Sequence, residues 1–125
     1  MKNVLGFHPN ENIFDILVGE NCLLDTSLLK IEIYEQEYVK VVGLELKMRA
    51  KSDFDIIRLE FSGVEEYCFY SSGDYGNCVE SLKFFKIKSG LYYISLDPFD
   101  ESVEINEQDQ YFIISTSVKL EVLKS

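Results

Sequence analysis

The stretch Tyr92-Tyr93-Ile94-Ser95-Leu96-Asp97-Pro98-Phe99-Asp100-Glu101 contains a clear strand signal that runs directly into an acidic segment. Side chains alternate between two faces up to Asp97, which is typical of a half-buried β-strand. Pro98 has no backbone N–H to donate to a sheet, so the strand is predicted to end there. The stretch therefore indicates a β fold in which a strand leads straight into a concentration of negative charge.

The same alternation recurs through the chain on both sides of this stretch. Predicted strands cover residues 28–34, 38–49, 54–62, 64–70, 79–88, 91–97 and 111–123. Short turns between successive strands require antiparallel pairing, because parallel strands need crossovers of about a dozen residues. A sheet with one apolar face must curl or pack face to face. We predict a mainly β, single antiparallel sheet-rich domain over residues 1–125, either a β-sandwich or a half-open barrel of about seven strands.

Residues 1–27 form the least regular region, and residues 28–125 carry the pattern of the β core. Pro9 and the polar residues that follow it can cap one short N-terminal helix. That helix would present apolar side chains at helical spacing, namely Ile13, Phe14, Leu17 and Val18.

Two details of register also follow from the pattern. The adjacent pair Val41 and Val42 shifts the apolar parity of its strand, and a β-bulge is one way to accommodate that shift. The final strand is predicted to place on one face Phe112, Ile114, Thr116, Val118, Leu120 and Val122. If this long strand lay at a sheet edge, it could pair with a second copy of the chain.

The charge balance restricts the classes of partner. Twenty-two acidic residues against twelve basic ones give a net charge of −10. Nucleic acid and anionic membranes are therefore poor partners, and basic proteins are favoured, although many proteins are acidic simply for solubility. The three cysteines are an odd number without a Cys-x-x-Cys pair, and no signal peptide or spanning segment is recognisable, so we expect a cytoplasmic protein.

The acidic segment concentrates this charge. Between Asp97 and Gln110 there is no Lys or Arg, and the six carboxylates are Asp97, Asp100, Glu101, Glu104, Glu107 and Asp109. Such a segment serves solubility, a cation or a basic partner. An EF-hand is excluded, since its glycine and its final glutamate are missing. A looser divalent site formed by Asp97, Asp100 and Asp109 stays open.

Catalytic signals are weak elsewhere. The only histidine is His8, in the irregular region, and no phosphate-binding glycine loop or zinc spacing is present. We therefore expect no enzyme activity and no cofactor. Binding has more support, because tyrosines near strand ends suit interfaces. The candidate partner-binding residues are Glu65, Glu66, Tyr67, Tyr70, Asp74, Tyr75, Asp97, Asp100, Glu101 and Glu104.

Residues 54–120 resemble a known group of bacterial proteins. The series Arg58–Tyr67, Leu82–Phe85 and Tyr92–Glu101 is similar to small immunity proteins of polymorphic and contact-dependent growth inhibition toxin systems. The resemblance implies a cytosolic protein that neutralises a toxin domain, often a nuclease. It carries over no site residue, because the matching positions are typical of strand scaffold.

The primary hypothesis is an immunity protein that masks a basic toxin domain stoichiometrically. Replacing Asp100 and Glu101 by lysine is then expected to slow association and leave thermal stability nearly unchanged. Two alternatives stay open, a small carboxylate- or metal-dependent hydrolase and an oligomeric structural or regulatory β protein, such as a homodimer.

Overall fold

The fold is one antiparallel sheet, seen in a computed structural model that describes residues 6–8, 13–69 and 77–125. Its strands are β1 (Gly6–His8), β2 (Ser27–Gln36), β3 (Val39–Lys47), β4 (Ile56–Cys68), β5 (Lys83–Lys86), β6 (Tyr92–Asp97) and β7 (Gln110–Lys124). The spatial order is β2-β3-β4-β7-β6-β5, and β1 pairs with the second half of β7. The prediction of a mainly β fold of about seven strands is confirmed.

The sheet is strongly curled. Phe61 on β4 and Phe84 on β5 have ring centroids 6.2 Å apart, although β7 and β6 lie between their strands. In a flat sheet the same three strand spacings would separate them by about 14 Å. Of the two predicted architectures the structure corresponds to the half-open barrel, and a second sheet is absent from the described ranges.

The concave inner face holds the core. Buried side chains from every long strand meet there, among them Leu44, Leu59, Ile94 and Leu120. Alternation places these residues on one face, and burial of their apolar surface stabilises the curl. The short helix α1 (Ile13–Ile16) closes one side of this core, where the Phe14 ring packs 4.8 Å from that of Phe84.

The N-terminal region is more regular than predicted in one place. Residues 6–8 form β1 antiparallel to residues 120–122 of β7, beside the half of β7 that β6 does not reach. The predicted helix is a single turn followed by a 3-10 helix at Gly19–Asn21, and its proposed cap at residues 9–12 lies outside the described residues. A three-residue strand is too short to produce a detectable alternation.

The predicted face of the final strand is wrong in its first half. Ile113 and Tyr111 face the core, whereas the second half turns Val118, Leu120 and Val122 inward. The change of parity occurs where the pairing of β4 with β7 passes over Gly63 and Thr116. Gly63 has a φ of +64°, a conformation that glycine adopts without a Cβ penalty, and a Cβ there would overlap the Thr116 hydroxyl.

Other boundaries also differ from the prediction. Residues 54–62 and 64–70 were expected as separate strands, but β4 continues through Gly63 to Cys68, and the strand expected at 79–88 is only β5. The register of β2 with β3 is regular across Val41 and Val42, and the irregularity lies between Leu28 and Lys30 instead. The final strand is not at an edge, since β7 pairs with β4 on one side and with β6 and β1 on the other. Its self-pairing is therefore ruled out.

Candidate functional site

The segment between β6 and β7, residues 98–109, is here named the acidic loop. It folds back over the outer face of β5 and β6 and is fastened there by Asp109, which is only 2% exposed. Backbone N–H groups of Phe99 and Asn106 donate to its two oxygens over 2.8 and 3.0 Å. The hydroxyl of Tyr93, on the outward side of β6, donates to the same carboxylate over 2.6 Å. One buried side chain thus fixes both ends of the loop to the sheet.

Lys83 on β5 is the cationic partner of this anchor. Its side chain is 1% exposed, and its ammonium lies 3.0 Å from Asp109 and 2.8 Å from Asp100. It also donates to the carbonyl of Glu104 over 2.7 Å. The ammonium has three protons to give, and these three acceptors satisfy them. A buried lysine with a full set of acceptors is a structural clamp that holds the middle of the loop.

The charged groups of the clamp stabilise one another in their ionised forms. Burial favours the neutral form of Asp109, but the hydrogen bonds from Tyr93, from the two backbone amides and from Lys83 outweigh it and lower the pKa of Asp109. Burial likewise opposes the charge on Lys83, yet Asp100 and Asp109 raise its pKa above the usual value. Hydrogen bonds from Lys83 and Ser102 hold the pKa of Asp100 at about 2. All three groups are therefore ionised near neutral pH.

The loop is further cross-linked within itself. Ser102 donates through its hydroxyl and its backbone N–H to Asp100, and the Asn106 side chain donates to Asp100 from the other direction. The Asn106 side-chain oxygen in turn accepts from the Gln108 N–H over 2.8 Å. Such dense hydrogen bonding gives the acidic loop one defined shape, which a simple solvated tail would lack.

The anchored loop exposes apolar and acidic side chains together. Phe99, Val103 and Ile105 are 60%, 80% and 45% exposed. The acids between and after them, Glu101, Glu104 and Glu107, are also exposed, and among the described residues their side chains form neither ion pairs nor hydrogen bonds. Exposed apolar side chains on a rigid frame, rimmed by charge, are typical of an interaction surface.

A groove runs between this loop and the outer face of the sheet, and we name it the loop groove. It has a volume of about 890 Å³. Its lining consists of Glu66, Cys68, Tyr93, residues 105–108, Phe112 and Ile114. The strands supply an aromatic and aliphatic floor, and the loop supplies a polar wall.

The sheet carries a second charged cluster, in which three glutamates share one arginine. Arg58 on the outer face of β4 is mostly buried and pairs with Glu32 at 2.7 Å, Glu45 at 3.4 Å and Glu60 at 3.7 Å. Gly43 leaves the space that the guanidinium occupies, since a Cβ there would overlap it. The glutamates of this cluster therefore have a cationic partner, whereas Glu101, Glu104 and Glu107 of the acidic loop have none among the described residues.

The structure brings some predicted site residues together and separates others. Glu66 reaches the loop groove, and Glu65 is exposed at the bulge beside it. Tyr67 pairs with Ile113, whose side chain faces the core, so Tyr67 and Glu66 lie on opposite faces of β4. The Tyr67 ring centroid is 5.7 Å from that of Phe69. The remaining predicted anchors, Tyr70, Asp74 and Tyr75, lie outside the described residues.

Within the acidic segment, the carboxylates differ in exposure and pairing. Glu101 and Glu104 are exposed at the surface, Asp97 is half-buried at the end of β6, and Asp100 is paired with Lys83 with its side chain 41% exposed. The structure changes the expectation for a lysine at position 100: it would face the buried Lys83 ammonium, so we now expect it to lower stability. Sequence reasoning missed the clamp and the exposed Phe99, Val103 and Ile105, although apolar residues inside an acidic segment were a usable signal.

The structure does not support the alternative of a metal site formed by Asp97, Asp100 and Asp109. The Lys83 ammonium already lies between Asp100 and Asp109 and pairs with both. In the described part of the chain no group of three or more His, Cys, Asp or Glu side chains has the arrangement to hold a metal ion.

Comparison with known proteins adds no family to this picture. The chain matches no protein-family model, no curated protein and no solved structure. Across residues 6–8, 13–69 and 77–125 no helix is long and apolar enough to cross a membrane.

Proposed function

We propose that this chain is a binding protein, not an enzyme, and that its acidic loop docks on a basic protein. The observation that carries the proposal is the anchored loop that exposes Phe99, Val103 and Ile105 among unpaired carboxylates. Apolar side chains supply contact area at the centre of an interface, and surrounding charges select the partner. A cluster of exposed carboxylates on a chain of net charge −10 favours a positively charged surface.

The clamp strengthens the case by removing a cost of binding. A mobile loop loses conformational freedom when it docks, at about 0.5–1.5 kcal/mol for each immobilised side chain. Here Lys83 and Asp109 fix the loop before any partner arrives. The carboxylates can then raise the association rate toward about 10⁸–10⁹ M⁻¹s⁻¹ at low salt, while the apolar residues slow dissociation.

The biological role that fits this surface is the one implied by the sequence resemblance. We propose a cytoplasmic immunity protein that covers the substrate-binding surface of a toxin domain, with carboxylates occupying the positions where a nuclease would bind phosphates. The mechanism is stoichiometric masking, which needs no catalytic group and no cofactor in this chain.

The test is a parallel capture of proteins from source-cell lysate at low and moderate salt. Three baits are compared, the wild type, the loop variant Glu101→Lys/Glu104→Lys and the control Glu35→Lys/Glu37→Lys. The control makes the same change of charge with exposed glutamates of the β2–β3 hairpin, at the other edge of the sheet.

We expect wild type and control to retain one basic protein in near-equal molar amount, and the loop variant to lose it. Equal retention by all three baits would show that the acidic loop is not the binding surface. Retention of no basic protein by any bait would overturn the proposed function itself.

A further inference from the structure

We propose that the loop groove binds an arginine side chain of the basic partner. This inference rests on the proposed function and deepens it, since it names the chemical group that the groove recognises. It concerns a different part of the surface from Phe99 and the exposed glutamates at positions 101 and 104, which allows the two proposals to fail separately.

The floor of the groove suits a planar cation. Phe112 and Ile114 are partly exposed and offer one aromatic and one aliphatic surface, whereas Tyr93, only 1% exposed, is buried beside Phe112 with the two ring centroids 6.0 Å apart. The Tyr93 hydroxyl donates to Asp109, so the buried ring that packs against Phe112 has a fixed position and supports the accessible Phe112 ring. Guanidinium groups stack on aromatic surfaces and are more weakly hydrated than ammonium groups, which favours arginine over lysine here.

The charge of the groove is entirely negative. Glu66 enters it from β4 and Glu107 from the loop, and the described residues lining it include no Lys, Arg or His. Neither glutamate forms an ion pair or a side-chain hydrogen bond with any described residue. Burial, the bond to Asp109 and the charges of nearby carboxylates including Glu66 raise the pKa of Tyr93, so the phenol stays neutral.

The polar wall completes the match with a guanidinium. Asn106 and Gln108 contribute amide groups to the lining beside Glu107. A guanidinium has five N–H donors, and the four oxygens of the two carboxylates with the side-chain oxygen of Gln108 offer enough acceptors to engage them without a competing cation. At about 890 Å³ the groove has room for an arginine side chain and the backbone that carries it.

The first experiment titrates the full chain, labelled with ¹⁵N, with the acetylated and amidated peptide Gly-Ala-Arg-Ala-Gly. The same peptide with citrulline in place of arginine is the matched probe, because citrulline has the shape of arginine without its charge. We expect saturable amide shifts confined to residues 66–68, 105–108 and 112–114 with arginine, and none with citrulline. Shifts spread over all acidic surfaces, equal shifts with citrulline, or no shift at all would overturn the proposal.

The variant Glu66→Gln/Glu107→Gln should lower the affinity for the arginine peptide about tenfold. Each exposed ion pair between a glutamate and the arginine contributes a factor of up to about five. The control Glu35→Gln/Glu37→Gln should leave its affinity unchanged. An equal loss in both variants would indicate a general charge effect and contradict the assignment.

An independent readout uses Cys68, an exposed thiol in the groove lining, with the exposed Cys78 as internal control. We expect the arginine peptide to slow alkylation of Cys68 by N-ethylmaleimide and to leave Cys78 unaffected. Equal rates at Cys68 with and without peptide would contradict occupation of the groove. If the groove variant still retains the partner that the loop variant loses, the proposed function stands and the arginine site is wrong. If the peptide fills the groove but no basic protein is captured, the groove does bind an arginine side chain and the proposed function is wrong.

Discussion

Replacing Asp109 by asparagine should destabilise the fold by about 3 kcal/mol. The carboxylate accepts hydrogen bonds from Lys83, Tyr93 and the N–H groups of Phe99 and Asn106. The single oxygen of an asparagine can accept about two of these, and its NH₂ group would meet donors at the other position. One buried donor left without a partner costs about 1–3 kcal/mol, and breaking a buried ion pair costs about 3–5 kcal/mol.

The two costs overlap, since both describe the same carboxylate. Lys83 also keeps Asp100 and the Glu104 carbonyl, which places the total near the lower end of the range. A domain of this size typically has a free energy of unfolding of about 5–15 kcal/mol, so the variant should still fold. Urea unfolding followed by circular dichroism measures the difference from the shift in midpoint at constant slope.

The matched control is Glu107→Gln, which makes the same chemical change at an exposed position of the same loop. It should alter stability by no more than about 0.5 kcal/mol. Adding Lys83→Met to Asp109→Asn should cost less than the sum of the two single changes, because the unpaired ammonium is then gone. If Asp109→Asn cost less than about 1 kcal/mol, or matched the control, the clamp would not hold the loop.

Four further outcomes follow from the structure. Stability should fall as the pH drops from about 4 towards 2, because the lowered pKa values of Asp100 and Asp109 mean that the unfolded chain takes up protons first; a flat acid-unfolding profile over that range would contradict this. Asp100→Lys should lower the melting temperature, whereas Glu101→Lys should not, because only the first faces Lys83; equal melting temperatures would argue against the ion pair. Ile94→Ala should cost about 2–5 kcal/mol in urea unfolding, since Ile94 is 0% exposed in the core, and a cost below about 1 kcal/mol would mean a wrong strand register. Replacing Glu37 and Tyr38 by Asn-Gly should raise stability by about 1 kcal/mol, because both turn residues have positive φ and Tyr38 is 100% exposed; a loss of stability would show that the tyrosine has a packing role.

Much of the fold could be predicted from the sequence because alternation is a local property. The strand ending at Asp97 and the inward position of Ile94 followed directly from period two and from Pro98. Parity in β7 could not be predicted in the same way, because it reverses where Gly63 on another strand bends the pair. A pattern within one strand contains no information about a bend imposed by its neighbour.

The candidate site was harder to predict for a related reason. The charge of the acidic segment was visible, but the division of its carboxylates depends on Lys83, which is 26 residues before Asp109 in the sequence. Nothing local distinguishes Asp109, a buried acceptor of several hydrogen bonds, from the exposed Glu107 two residues earlier. Pairing of β5 with β6 creates that distinction, since it places Lys83 and Tyr93 under the loop.

Amide hydrogen exchange of the acidic loop tests most directly whether this segment is a preformed surface. The amides of Phe99 and Asn106 donate to the buried Asp109, so we predict that both exchange far more slowly than the amide of the exposed Glu101, and that Asp109→Asn removes the protection. If the amides of Phe99 and Asn106 exchanged as fast as that of Glu101 in the wild-type protein, the loop would be a solvated segment, and the preorganised docking surface would be contradicted.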